Sequence, residues 1–301
     1  MSVVERAVGA DADGQGKKRA SADAAVQAEK SAIAARNTFD VDFDRLKEIG
    51  VQTPDKPSAQ QALELRAIKR RLMRRIGFLR DSGDRTAHRA AGRQKNIIMV
   101  TSTAAGEGKT FSALNLAMSL AFEDKIDILL IDGDVQRPKV LSRFGLPQSP
   151  GLTELMRDPS IDPNALYLRA SGAPLSILPQ GGYIERASDL FDGPEGKAIW
   201  AALASEKSDR LVIVDAPPVL ATTDAVVLAK IADEIVFVVE AGQTPESAIT
   251  AALDELLDIN ANVSLMLNRC LIGAGGSHYG SYEYYDRRDP DDALAARAQE
   301  D

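Results

Sequence analysis

The chain has one cysteine, Cys270, among 301 residues, so an internal disulfide is excluded. That usage fits a reducing compartment. No run of about 18 uncharged apolar residues occurs, so a membrane span is not expected. The N-terminus, MSVVERAVGADADGQGKK, has no apolar segment of the kind a secretory signal requires. Positive charge is not in excess: 36 Lys and Arg stand against 44 Asp and Glu, a net charge of −8. That balance argues against nucleic acid as the main partner. A cytoplasmic setting is the expectation. Aromatics are also scarce, at 5% of the chain. Yet four of the six tyrosines, Tyr279, Tyr282, Tyr284 and Tyr285, fall within seven positions near the C-terminus, among Gly, Ser and charged residues where no core can form.

The chain does have enough apolar residues, 45%, to bury a sizeable core. Residues 1–38 are rich in Ala, Asp, Gly, Lys and Ser and read as a disordered tail. Residues 39–94 read as a helical extension. FDVDFDRLKEIG suggests a short docking helix stopped by Gly50 and Pro54. SAQQALELRAIKRRLMRRIGFLR (58–80) suggests a longer helix capped by Ser58, with Leu65, Ile68, Leu72, Ile76 and Leu79 as its apolar stripe. Its other face carries Arg66, Lys69, Arg70, Arg71, Arg74 and Arg75. That face is either solvated or a contact for an acidic partner or a neighbouring subunit.

From residue 95 the pattern changes. NIIMVTS (96–102), IDILLID (126–132), LSILPQ (175–180), LVIVDA (211–216), EIVFVVEA (234–241) and VSLMLN (263–268) are short runs, apolar on both faces. Strands buried in a parallel sheet look like this. The intervening segments are long enough for crossover helices. The expected fold is therefore α/β: a doubly wound, mostly parallel sheet with flanking helices over 95–270, which the loop GEGKT (106–110) after its first strand makes one of the P-loop NTPase type.

Three motifs follow three of these strands. VTSTAAGEGKT ends in Gly108-Lys109-Thr110, a strand–loop–helix of the phosphate-binding kind. Backbone N–H groups of such a loop turn toward phosphate oxygens, and the helix that follows adds its positive end. A lysine there neutralises the β- and γ-phosphates, and a hydroxyl can hold Mg2+. Thr103 stands where the usual first glycine would be. In ILLIDGDVQRP, Asp132 and Asp134 sit at the carboxyl end of a strand, the edge where open α/β sheets bind ligands. Two acids beside a triphosphate make sense if one binds the metal and the other accepts a proton. Arg137 could offset their charge. Asp215 in LVIVDAPP ends a third strand as a metal-reaching carboxylate.

TSTAAGEGKT, LLIDGDVQRP and VIVDAPPVLATTDA, with VEAGQTPESA, LMLN and the tyrosine-rich end, resemble the bacterial tyrosine kinases of capsule and exopolysaccharide loci. FDRLKEIGVQTPD and ELRAIKRRL look most like the stand-alone, exosortase-associated autokinases of that family. The resemblance covers about residues 39–285. It implies that Ala105, Gly106, Glu107, Gly108, Lys109, Thr110 and Phe111 form the ATP loop, and that Asn268 contacts adenine. It implies that Thr110 and Asp215 hold Mg2+ with Asp132 in support, and that Asp134 orients or deprotonates a tyrosine. Lys109, Asp132, Asp134 and Arg137 are thus the catalytic set, and Arg137 serves where many members carry Arg at 136. Partners implied are a separate transmembrane co-polymerase that controls polysaccharide chain length, a tyrosine phosphatase and further copies of the chain. That partner would recruit the protein to the inner face of the cytoplasmic membrane. The family's ring-building E-x-x-R-x-x-R helix is matched at Arg66 and Lys69, but Leu63 replaces its Glu.

Two other functions compete. A MinD- or ParA-type switch ATPase shares the fold, but its signature lysine would fall at Ala104. A non-catalytic partner of an export protein would not need all five motif residues. The terminal segment 271–301, carrying the four tyrosines as phosphoacceptors, begins with the Gly-rich GAGGS. About 15 flexible residues reach roughly 20 Å, against a domain radius of gyration of roughly 17 Å. Reach alone does not separate an acceptor role from a low-complexity tail.

Overall fold

The computed structural model describes residues 37–54, 59–77, 95–122, 124–207 and 209–270. Residues 1–36 of the expected N-terminal tail, the Ser58 cap and the tyrosine cluster lie outside them, whereas Asn37 and Thr38, assigned to that tail, are held by backbone pairing, Thr38 in the first strand. The chain divides into two compact units, Met1–Asn268 and Arg269–Asp301, of which the first holds all the elements below.

Eight strands form one sheet: β1 (Thr38–Phe39), β2 (Ile97–Ser102), β3 (Asp127–Asp132), β4 (Leu168–Ala170), β5 (Leu175–Leu178), β6 (Arg210–Asp215), β7 (Glu234–Glu240) and β8 (Val263–Asn268). Their order is β1-β4-β5-β3-β6-β2-β7-β8. All neighbours are parallel except β4 and β5. The six strands expected from the sequence are all present. Strand β1, at one edge, and its neighbour β4 are additional. They are only two and three residues long, too short to leave a periodic signal.

The central strands β2, β3, β6 and β7 are apolar because both faces are covered. Strand β8, expected to be buried on both faces, instead lies at the sheet edge and exposes Leu265 and Leu267. Ile97, Met99, Leu129, Ile131, Val212, Val214, Ile235, Phe237 and Val239 point into one core, and Ile98, Val100, Ile128, Leu130, Leu211, Ile213, Val236 and Val238 into the other. Helices α5 (Leu152–Arg157), α6 (Ala187–Asp192), α7 (Pro194–Ser205), α8 (Thr223–Ile231) and α9 (Glu246–Leu257) supply the first core's other half. The second is closed by α1 (Phe43–Glu48), α2 (Ala59–Arg75), α3 (Lys109–Phe122) and α4 (Val140–Phe144).

Helix α1 confirms the short docking helix. Asp42 caps it by accepting from the Arg45 N–H, and Leu46 is fully buried. Helix α2 buries Leu65, Leu72 and Met73, with Ile76 buried just past its end; Ile68 of the expected stripe is only half-buried, and Leu79 lies outside the described residues. Two residues assigned to its basic face turn inward. Lys69 is buried and pairs with Asp124 at 2.7 Å, and Arg75 reaches the buried Glu234 at 2.7 Å. Long basic side chains can cross an apolar stripe when an acid waits at its margin, which spacing alone does not reveal. Arg66, Arg70, Arg71 and Arg74 are exposed. Among the described residues no helix is long and apolar enough to cross a membrane.

Candidate active site

Parallel pairing brings the three motifs together. Asp132 at the end of β3 lies directly opposite Asp215 at the end of β6, and Asp215 opposite Val100 of β2. The phosphate loop leaves β2 two residues later and enters α3 at Lys109. All the site residues therefore leave strands at one sheet edge, where open α/β sheets bind ligands. Gly133 permits the crowding: its N–H donates to the Asp215 carbonyl at 2.8 Å, and a β-carbon there would meet Val214 at 3.0 Å.

Lys109 sits among the acids. Its Nζ is 2.7 Å from Asp134 Oδ2 and 3.7 Å from Asp215 Oδ1. Burial opposes the charge on Lys109, but the carboxylates of Asp215 and Asp134 outweigh it and hold the ammonium above the ordinary lysine range. Asp215 is fully buried, and neither of its oxygens has a hydrogen bond of ordinary geometry. Burial pushes its carboxyl up, opposed by the charge of Lys109 and by the nearby Thr110 hydroxyl. Asp132 is different. Its Oδ2 accepts from the backbone N–H groups of Lys139 (3.0 Å) and Val140 (2.9 Å). Burial, and then the charge of Asp215, push the Asp132 carboxyl up to about 8.

This donor set fits a divalent ion that arrives with a nucleotide. The buried Asp215 carboxylate has no hydrogen bond of ordinary geometry and shares the Lys109 ammonium with Asp134, so a further cation beside the Thr110 hydroxyl would stabilise it. Among the described residues no three acids, His or Cys converge as a metal cage. Mg2+ characteristically takes one or two carboxylates and leaves the remaining positions to water and phosphate.

The loop is braced in ways spacing does not show. Gly106 and Gly108 have φ of 101° and 103°, left-handed values that favour glycine. A side chain at 108 would also collide with the Asn268 amide. Asn268 Nδ2 donates to the Glu107 carbonyl at 2.8 Å, so its visible partner is the phosphate loop. Glu107 is buried, and its carboxylate folds back. Oε2 accepts from the Ala104 N–H (2.8 Å) and Oε1 from the Thr244 hydroxyl (2.7 Å). Glu107 thus ties the loop to the turn after β7. Glu107→Ala is expected to raise the dissociation constant for nucleotide roughly tenfold, since hydrogen bonds to a charged group contribute about 1.5–3 kcal/mol. A fluorescent-nucleotide titration checks this, and an unchanged constant would remove the brace from the account.

Other expected residues stand further out. Ala105 and Gly106 are exposed at the loop tip. The Phe111 ring packs on the second core beside Gly50, while its carbonyl accepts from Asn115. Arg137 is exposed. Its backbone N–H donates to Asp134 Oδ1 at 3.0 Å, but among the described residues its guanidinium pairs with no carboxylate. Thr244 and Asp224 were missed from the sequence. Asp224 is buried at the start of α8, and burial raises its carboxyl, with the Asp134 charge adding to the effect. Its only signal was a second acid, nine residues after Asp215.

Residues 98–265 match the family CobQ/CobB/MinD/ParA nucleotide binding domain. The tyrosine-protein kinase YwqD of Bacillus subtilis is 31% identical over 197 residues, 65% of this chain and 80% of that protein. The succinoglycan biosynthesis transport protein ExoP of Rhizobium meliloti is 31% identical over 183 residues, 60% of this chain, which spans only 23% of ExoP. Among solved structures, the VpsO kinase domain superimposes with a TM-score of 0.54 at 28% identity, covering 62% of this chain and 91% of that one.

Proposed function

The chain belongs to the bacterial tyrosine-protein kinases, on a CobQ/CobB/MinD/ParA nucleotide binding domain, and from that premise we propose that it is an ATP- and Mg2+-dependent autokinase acting on Tyr279, Tyr282, Tyr284 and Tyr285. The observation that carries this is the Lys109–Asp134–Asp215 constellation, a buried lysine among acids beside Thr110.

In this reading Lys109 leaves Asp134 for the β- and γ-phosphates when ATP enters. That exchange frees the Asp134 carboxylate at the moment a phenol must be oriented and relieved of its proton. The γ-phosphoryl passes to the tyrosine oxygen, ADP leaves, and the proton goes to Asp134. Thr110 and Asp215 would hold a divalent metal with support from Asp132, and such a metal would supply neutralisation of phosphate charge. Asn268 closes the site on the adenine side. Glu107 and Thr244 hold the loop's backbone donors toward the phosphates. Arg137, at the rim, offsets the negative charge of the approaching tail.

Kinship with a biosynthesis transport protein supports a role in exopolysaccharide polymerisation and export. A separate transmembrane co-polymerase would recruit and activate the chain at the inner face of the membrane. A tyrosine phosphatase would reset it, and copies of the chain would present tails to one another. The domain reading is a kinase body over 95–270, a helical extension over 39–94, and terminal segments outside both.

Only two tyrosines lie among the described residues. Tyr167 is buried, with its hydroxyl 2.7 Å from Glu206, whereas Tyr183 is 66% exposed. With labelled ATP and Mg2+, label is expected on tyrosine and is expected to vanish when Tyr279, Tyr282, Tyr284 and Tyr285 are all changed to Phe. Label that persists until Tyr183→Phe is added would move the acceptor into the folded domain. Hydrolysis of ATP with no phosphotyrosine would favour a switch ATPase.

A further inference from the structure

We infer that Arg45, far upstream of the phosphate loop in the chain, is a positioning residue that sets Asp132 through helix α4. The inference rests on the placement of Asp132 in the active site proposed above.

Helix α4 has five residues. That is too short to be stable alone, so its position depends on what holds its two ends. At its N-terminal end the N–H groups of Lys139 and Val140 donate to Asp132 Oδ2. At its C-terminal end Arg45 Nη2 donates to the Ser142 carbonyl (2.8 Å) and Nε to the Arg143 carbonyl (3.2 Å). A helix leaves its last carbonyls without internal partners, and a guanidinium fork suits two neighbouring acceptors. The chain turns away through Gly145, at φ 73°, where a β-carbon would meet Arg45 Cδ and Nε at 3.1 Å. One short rod is thus gripped by the candidate metal-supporting carboxylate and by the N-terminal segment.

That segment is itself well anchored. Leu46 shares a core with Val140, Leu141 and Phe144. Phe39 packs edge-on against Phe144 at 5.8 Å. Thr38 and Phe39 pair with Arg169 and Ala170 of β4. Gln52 N–H donates to Asn115 Oδ1 on α3, at 2.9 Å. Residues 38–53 therefore act as a strap, and Arg45 is the point where the strap touches the element that holds Asp132.

The test uses the full chain with Arg45→Ala and Arg45→Lys. Arg45 is exposed, so the fold should survive either change. In Arg45→Ala, amide hydrogen exchange across 138–144 is expected to quicken about fivefold, while peptides from β2 and β6 stay as in the wild type. The Mg2+ concentration that half-saturates nucleotide binding should rise roughly three- to tenfold, with affinity for nucleotide in EDTA unchanged. Arg45→Lys, which keeps a donor, should fall between. Unchanged exchange at 138–144, an unchanged Mg2+ requirement, or equal loosening of every peptide would overturn the proposal. Absence of phosphotransfer in the wild type would defeat the kinase reading alone, because the exchange and Mg2+ titrations still decide the role of Arg45.

Discussion

Lys109→Met is expected to abolish phosphotransfer and to destabilise the protein. The two effects have separate causes. On the proposed mechanism, loss of activity would follow from losing a cation placed to meet the phosphates, and removing a preorganised donor of this kind costs about 10²–10³ in rate. Loss of stability follows from what remains. Asp132, Asp134 and Asp215 are all buried, and Lys109 is within 4 Å of two of them. Deleting one partner of a buried pair leaves uncompensated charge and costs about 3–5 kcal/mol. Labelling with ATP gives the first effect and thermal melting in EDTA the second. A variant that melts with the wild type would show that the acids are already neutral in the ligand-free protein. Lys109→Arg, which keeps the charge, is expected to restore much of the melting temperature but not the rate.

Asp215→Asn should behave in the opposite way: inactive, but more stable without ligand. Asp215 has no ordinary hydrogen bond to lose, and Asn has nearly the same volume. Removing one of three acids around a single lysine relieves repulsion that burial magnifies. A gain of about 1 kcal/mol, the worth of roughly one pKa unit of relieved repulsion, or roughly 2–4 °C, is expected in EDTA. Mg2+ with nucleotide should then stabilise the variant far less than the wild type.

The same acids give a pH test. The folded values for Asp132 and Asp215 are raised above the ordinary 3.8, that of Asp132 to about 8. The native state therefore holds protons that the unfolded chain has already released. The stability from that difference is fully present below about pH 4 and is lost as the pH rises through about 8. In Asp215→Asn the slope over that window should flatten, since the charge of Asp215 is a main cause of the raised value at Asp132. Melting curves at several pH values, with EDTA throughout, measure it. A slope equal to that of the wild type would contradict the coupling.

Much of this was legible in the sequence because burial on two faces leaves an unmistakable mark. IIMVTS, DILLID and RLVIVD could be little else than central strands; the second and third end in Asp132 and Asp215, and the first runs into the loop that ends at Lys109. Glycine at 108 and the GKT triplet announced the phosphate loop. Less legible were interactions that join distant segments through polar atoms. Glu107 has the same spacing whether it faces solvent or braces Thr244. Lys69 and Arg75 look like surface cations until Asp124 and Glu234 appear beside them.

The sequence by itself determined the doubly wound core and the sheet edge at which Lys109, Thr110, Asp132, Asp134 and Asp215 stand as candidate site residues. These follow from periodicity and from residues adjacent in the chain. Only the tertiary structure decided how those groups share their charges and contacts. It turned Lys109 onto Asp134 and left Asp215 without a hydrogen bond. It gave one oxygen of Asp132 to the start of α4, and it brought Arg45 to that helix's other end. The physical reason is that strand register and helix placement set distances between residues far apart in sequence, and local pattern does not encode those distances.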